Sequence, residues 1–188
     1  MGPNSMPPVV QRETEDNSPR PRSTETERQN LTMAIELLNT LLTASPKTPG
    51  YRHLSAICYR ELASDHLSTR TPADHLAEAR AITLLESLVT EFPSVSDYRY
   101  DLIETLAEFS VFGTSIAPEQ LEEVRQNLLQ AIEHGEQLVA ERPNVPIYGA
   151  ALVHANFKLA IVVGFMADQE QGTRRDDYLL EAERNLRK

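Results

Sequence analysis

Five histidines and several acidic groups are the side chains in this sequence that could carry chemistry. The histidines are His53, His66, His75, His134 and His154. His66 and His75 lie on either side of one interhelical segment, and Glu78 follows His75 at a spacing that could place two metal ligands on one helix face. A metal site would need further ligands that the sequence does not show. We therefore expect these to be surface histidines, without a metal or cofactor.

The acidic group Glu119, Glu122 and Glu123 stands at a predicted helix start, where carboxylates are stabilised by the positive end of the helix dipole. Catalysis by paired carboxylates would need two opposed groups, an arrangement that the sequence does not indicate. Phosphate-binding glycine loops, CxxC pairs and the HExxH and GxSxG motifs are absent from the sequence. We expect a protein that is not an enzyme.

Composition favours an all-helical domain that does not bind nucleic acid. The chain has 188 residues, of which 40% are apolar, with no tryptophan and a formal net charge of −10. An acidic body lacks the basic stripe of a nucleic-acid-binding protein and is repelled by anionic membranes. The single cysteine, Cys58, excludes an internal disulfide and is expected to be a core thiol.

No targeting segment is recognisable. Residues 1–22 are rich in proline, serine and charged residues, lack the apolar stretch of a signal peptide, and are predicted to be a disordered segment or linker. The most apolar stretch, Leu159 to Ala167, is too short to span a bilayer. We expect a cytoplasmic protein without a membrane segment, with residues 23–188 forming the folded domain.

A tandem repeat organises the folded part. Two aliphatic residues end four positions before Pro46, Pro93 and Pro143, and a tyrosine stands five positions after each proline. The prolines are 47 and 50 residues apart. A helix cannot continue through proline, so each copy predicts a corner between two helices. Repeats of this length usually stack into a solenoid, because one helical hairpin cannot bury its own apolar face.

The repeat resembles the second helix of a tetratricopeptide repeat (TPR), with alanine, a large residue four on, a small or aliphatic one seven on and proline twelve on. The matching residues are Ala34/Leu38/Leu41/Pro46, Ala81/Leu85/Leu88/Pro93 and Ala131/Gly135/Leu138/Pro143. The chain departs from that family in its longer period and in Gly135, which replaces a bulky residue. Long-period arrays of this kind resemble those of bacterial signalling proteins. The resemblance implies a right-handed superhelix of antiparallel helix hairpins.

Seven helices are predicted, beginning with the second helix of an incomplete first repeat. Their approximate spans are Thr24–Ala44, Pro49 to the high 60s, Pro72–Phe92, Ser96 to Phe112 with a stop at Gly113, Pro118–Glu141, Pro146–Met166, and a last helix opening at Thr173. The predicted caps are Thr24, Thr48, Ser94, Thr71 and Thr173. The inward stripes are predicted to include Leu31, Ala34, Ile35, Leu38, Leu41 and Leu42 on the first helix and Tyr51, Leu54, Ile57, Cys58, Leu62 and Leu67 on the second.

In the TPR family the first helix of each hairpin lines a concave groove. The resemblance therefore nominates, as partner-binding residues, Arg52, Tyr59, Arg60, Arg99, Tyr100, Glu104, Asn156 and Lys158. For Arg52 and Arg99 there is an alternative, in which each pairs with an acidic residue of an adjacent helix.

We expect a non-catalytic module that binds a protein or peptide in its groove. An alternative is a structural role, with homo-oligomerisation through the apolar C-terminal helices, where Val162 to Met166 is either core or a contact surface. A sensor or enzyme with a pocket between hairpins is a third class.

Overall fold

A computed structural model describes residues 25–64, 71–108, 118–169 and 172–186, and over these ranges the chain forms α-helices and no strand. The all-α prediction is confirmed for this part of the chain. Several predictions lie outside the described residues: the linker over residues 1–22, the cap at Thr24, the histidine at position 66, the inward Leu67, and the stop at Gly113.

The described residues form seven helices in the predicted order. They are α1 (Glu25–Ala44), α2 (Pro49–Ser64), α3 (Pro72–Glu91), α4 (Ser96–Glu108), α5 (Pro118–Glu141), α6 (Pro146–Gln169) and α7 (Thr173–Leu186). Helix α6 continues three residues past the expected end at Met166. The proline positions determine most of these limits, because proline is favoured at the first helical position and excluded from the interior.

The three proline corners have the same backbone hydrogen bonds. At the first, the N–H of Ser45 donates to the Leu41 carbonyl (2.8 Å) and the N–H of Thr48 donates to the Ser45 carbonyl (3.2 Å). The same pair of bonds recurs as Phe92 to Leu88 (2.8 Å) with Val95 to Phe92 (3.0 Å), and as Arg142 to Leu138 (2.8 Å) with Val145 to Arg142 (3.2 Å). Each proline follows the last residue that donates into its helix. Its missing N–H therefore ends the helix at that point.

Of the predicted helix caps, Thr71 is confirmed, whereas Ser94 and Thr173 are not caps. Thr71 caps α3 in a complete capping box with Asp74, as the sequence indicated. The expected cap at Ser94 is wrong, because α4 starts at Ser96 and the residue before it is Val95, whose carbonyl accepts from Tyr98. The corner geometry sets that position regardless of residue type. Thr173 is likewise already helical, and Gly172, at a φ of 71°, precedes α7.

The helices pack in chain order. Helices α2, α4 and α6 are the first helices of three hairpins, and α3, α5 and α7 are their second helices; the two members of each hairpin contact each other. Each second helix also contacts the first helix that follows it, and successive first helices touch. Among the described residues, the backbones of α1 and α7 do not approach each other, since α1 lies along α2 alone.

The core lies mainly between α4, α5 and α6, where the leucines are completely buried, among them Leu102, Leu128, Leu138 and Leu159. Alanines fill the places where helices cross closely. Of the repeat alanines, Ala81 and Ala131 are fully buried and Ala34 is half-buried. Gly135 also has a packing reason, because a Cβ added there would lie 3.1 Å from Leu152 Cδ1 and 3.3 Å from Leu152 Cβ. A bulky residue does not fit at this position.

The predicted inward stripes need two corrections. Leu41 of α1 is 43% exposed and Leu54 of α2 is 54% exposed. Helix α2 presents small residues inward, including Ser55 and Ala56, because its neighbours approach closely. On α1, Ile35 and Leu38 are buried as predicted. Leu41 is exposed because, in the described part of the chain, no first helix precedes α1.

Candidate interaction surface

Arg52, one of the predicted groove residues, is an internal ion-pair partner. Its guanidinium donates from Nη1 and Nη2 to the two carboxylate oxygens of Glu91 (2.8 and 2.7 Å) and from Nη2 to Ser87 Oγ (2.6 Å). Hydrogen bonding with Glu91 raises the pKa of Arg52 and lowers the pKa of the Glu91 carboxyl. Arg52 itself is only 8% exposed. A buried, two-pronged contact of this kind fixes the start of α2 to the end of α3.

Arg99 makes the equivalent contact in the next hairpin. Its Nη1 donates to Glu141 Oε2 (2.9 Å), and its Nη2 donates to the Pro93 carbonyl (3.1 Å). The alternative in which Arg52 and Arg99 pair with acidic residues of an adjacent helix is therefore confirmed. Each arginine stands six residues after a corner proline, and each glutamate two residues before the next one.

The recurrence of this ion pair in successive repeats was not predicted, although the constant spacing of the arginine and the glutamate from the corner prolines is visible in the sequence. In the third hairpin the arginine position holds Gly149. Helix α6 therefore lacks the arginine that ties the other two hairpins at this end.

The remaining predicted groove residues also contact their own chain. Lys158 is buried, donates from Nζ to the Ala107 carbonyl (2.6 Å), and has its pKa lowered by burial. Asn156 is buried and donates to the Leu152 carbonyl (3.0 Å). Half-buried residues make up the rest of the set, namely Tyr59, Arg60, Tyr100 and Glu104.

Arg60 and Tyr100 show what these half-buried residues do. Arg60 lies 3.8 Å from Asp101 and 3.8 Å from Glu108, both on α4. The ring of Tyr100 lies 5.8 Å from that of Tyr148 on α6. The first helices thus use these side chains to contact one another.

The residues considered for metal binding or nucleophilic chemistry are dispersed. His53 Nε2 lies 2.6 Å from Asp101 Oδ2, and His75 Nδ1 lies 3.9 Å from Glu78. No group of three or more His, Cys, Asp or Glu side chains that could hold a metal ion occurs among the described residues. Cys58 is half-buried, and burial raises the pKa of its thiol. A raised pKa leaves less of the reactive thiolate at neutral pH.

A long stripe on α6, apolar apart from the exposed His154, is exposed or half-buried. We call it the α6 outer face, and its residues are Ala150, Val153, Phe157, Ile161, Gly164 and Phe165. Val153 is 63% exposed, Phe157 53% and Phe165 49%. By contrast, Val162, Val163 and Met166 lie in the core, so the stretch considered as a contact surface is core except at Gly164 and Phe165. The spacing of four residues around Phe157 was the sequence signal for this face.

Equivalent positions on the other first helices are covered. Arg60, Ala107 and Phe157 each stand fourteen residues after their corner proline. Arg60 contacts α4, and the Ala107 carbonyl accepts from Lys158 on α6. In the described chain, Phe157 has no following first helix to contact. The α6 outer face is therefore the place where a next first helix would pack.

Helix α7 extends the uncovered apolar surface. Leu179 is 45% exposed and Leu180 is 60% exposed. In the repeat alignment Leu179 corresponds to Leu128, which is fully buried in α5. Arg125 holds α7 against α5 through hydrogen bonds to Glu181 at 3.0 to 3.2 Å. The end of the array formed by α6 and α7 thus exposes positions that the preceding hairpin buries.

Helix α6 is also the one helix, in the part of the chain that the structure describes, that is long and apolar enough to cross a membrane. The predicted apolar stretch was shorter than the one observed. More than half of its most apolar window is buried inside the protein, as in a core helix of a soluble protein. This feature is weak evidence for a membrane span.

Comparison of the chain with models of protein families, with curated proteins and with solved structures found no match.

Proposed function

We propose that this chain is a non-catalytic protein-interaction module, a TPR-like array of hairpins, that binds a partner helix on the surface formed by the α6 outer face together with Leu179 and Leu180. The observation that carries the proposal is the exposure of Phe157, because the equivalent repeat positions on α2 and α4 are covered by the following first helix. We further propose that the sequential hairpin packing continues as a right-handed superhelix.

The packing of α4 and α6 supports a helical partner. Each of these helices lies against the preceding first helix and the preceding second helix. The surface formed by α6 and α7 repeats that arrangement. A partner helix with apolar residues at every third or fourth position would bury the exposed phenylalanines and leucines, at about 25 cal/mol for each Å² of apolar surface removed from water.

The internal contacts of the groove candidates favour this surface over the groove. Arg52 and Arg99 are already paired with Glu91 and Glu141, and Lys158 donates to a backbone carbonyl. Recruiting the two arginines to a ligand would first break the charge-assisted hydrogen bonds of buried guanidinium groups, which is costly. Exposed apolar side chains have no such cost, because binding removes them from water.

The test is selection of helix-forming peptides from a display library against the immobilised protein. We expect the selected peptides to carry apolar residues at helical spacing and to bind Phe157→Glu at least about tenfold more weakly, a loss of about 1.4 kcal/mol. Leu54→Glu is the matched control, because Leu54 is similarly exposed but lies on α2. Binding that is insensitive to Phe157→Glu, or equally sensitive to Leu54→Glu, would contradict the proposed surface.

A further inference from the structure

We infer that the helix that packs on the α6 outer face is α6 of a second copy of this chain, antiparallel and related by a two-fold axis near Phe157. This inference rests on the proposed function and specifies its partner. Three independent features of α6 support it: the match of side-chain sizes about Phe157, a glycine without a structural role in its own chain, and the distribution of charge.

Two pairs of positions at equal distances from Phe157 are matched in size, whereas Phe165, eight residues after it, has Gly149 as its counterpart. Val153 and Ile161 stand four residues before and after it, and Ala150 and Gly164 stand seven before and after. Four and seven residues return to the same side of an α-helix. In an antiparallel pair, Val153 would face Ile161 of the second copy, and Ala150 would face Gly164. Branched residues would therefore meet branched residues, and small residues would meet small ones.

Gly164 has no packing partner that requires it. A Cβ added at Gly164 would meet nothing within 4 Å, as is also the case at Gly50 and Gly149, whereas one added at Gly135 would be in tight contact with Leu152. Glycine inside a helix costs about 1 kcal/mol relative to alanine. Close approach of another backbone is the usual reason for a glycine that its own chain does not explain. The position of Gly164 on the α6 outer face indicates where a second helix would come nearest.

The charge distribution favours self-association at this face. The chain carries a net charge of −10, so two copies repel each other in general. From Pro146 to Ala167, helix α6 has no Asp or Glu, and its lysine, Lys158, is buried. In the antiparallel arrangement, exposed Asp168 would approach the start of the second copy's α6. That contact is favourable because a helix N-terminus carries partial positive charge.

The expected affinity is modest. From Ala150 to Phe165 the face is about 22 Å long at 1.5 Å per residue. Contacts of one helix from each copy, flanked by leucines of α7, are smaller than a standard interface of about 800 Å² per partner. We expect a dimer that dissociates in the micromolar range.

Sedimentation velocity of the full chain over a concentration series tests the inference. We expect the wild-type chain and Leu54→Glu to dimerise as concentration rises. Phe157→Glu and Gly164→Leu should remain monomeric, with at least about tenfold weaker association. Gly164→Leu is informative because open space surrounds that position in its own chain, so the variant should fold. Far-UV circular dichroism checks this.

Cysteine cross-linking in a Cys58→Ser background tests the symmetry. Phe157→Cys should form a covalent dimer on mild oxidation. Val153→Cys should cross-link efficiently to Ile161→Cys in a mixture, but poorly to itself. A wild-type chain that stays monomeric throughout, or a dimer unaffected by Phe157→Glu, would overturn the inference. If the monomeric chain still binds selected peptides through Phe157, the proposed function stands without it.

Discussion

Arg52 and Arg99 illustrate how charged residues on first helices can be structural. Both are buried, and each bonds to a glutamate at the end of the second helix of its own hairpin. Such pairs satisfy groups that would otherwise be costly to bury. At the scale of single residues, Arg52 and Arg99 bind acidic groups of their own chain, and the large exposed side chains of α6 include the apolar Val153, Phe157 and Phe165. This contrast is why we place the interaction surface on α6.

Asp74 gives a prediction of pH dependence. Burial by itself would raise the pKa of Asp74, but hydrogen bonds from the Thr71 side chain and backbone and from Arg28 together outweigh it, so the pKa is lowered. A carboxyl whose pKa is lowered by folding stabilises the folded state at pH values above its pKa in the unfolded chain, which is about 3.9. This stabilisation is lost as the pH falls through the pKa of the folded state.

We therefore expect Asp74→Asn to lower the free energy of unfolding at neutral pH by about 1 kcal/mol, because its charged hydrogen bonds with Thr71 and Arg28 are weakened. The difference from wild type should shrink as the pH falls below about 4, where wild-type Asp74 becomes protonated as well. Urea denaturation at several pH values measures this difference. A difference that stays constant down to the lowest pH would show that the charge of Asp74 contributes nothing.

The repeat gives a test at the scale of the helix. Leu41, Leu88 and Leu138 occupy the same repeat position, yet Leu41 is 43% exposed and the other two are fully buried. We expect Leu88→Ala and Leu138→Ala to lower the free energy of unfolding by about 2 to 5 kcal/mol each, because each leaves a cavity. Leu41→Ala should cost less than about 1 kcal/mol.

Chemical denaturation of the three variants under the same conditions provides the comparison. Equal losses at all three positions would mean that α1 is covered in solution as fully as α3 and α5 are. That result would contradict the exposure of Leu41 on α1.

Helix limits were predictable from the sequence because proline acts locally. Pro46, Pro93 and Pro143 each end a helix through the lost N–H, whatever packs around them. The inward face of α2 was not predictable in the same way. Apolar periodicity favoured Leu54 as a core residue, but close neighbours select Ser55 and Ala56 for the inside. Likewise, the sequence placed Arg52 and Arg99 on first helices, and only the structure shows that their partners lie at the ends of α3 and α5.

At the scale of the whole molecule, the described helices make their contacts mainly between near neighbours in the sequence. Helix α1 packs along α2, and one side-chain bond, from Arg28 to Asp74, reaches α3. The core is concentrated around α4, α5 and α6. If the helices form a repeat array, as proposed, stability is approximately a sum of repeat and interface contributions, and separate parts can open independently.

A substitution at one end of the stack should therefore weaken that end alone. Leu38 is 9% exposed and belongs to α1, whose backbone packs on α2, so Leu38→Ala removes contacts at the N-terminal end. We expect about 2 kcal/mol or more of lost stability there. Amide hydrogen exchange followed by mass spectrometry should show faster exchange in α1 and α2, by at least about thirtyfold for that loss, with α6 and α7 unchanged.

Leu159→Ala in α6 is the matched substitution at the other end, and it should accelerate exchange in α5, α6 and α7 more than in α1. If both variants accelerated exchange equally in every helix, the molecule would unfold as one cooperative unit, and independent opening of its ends would be wrong.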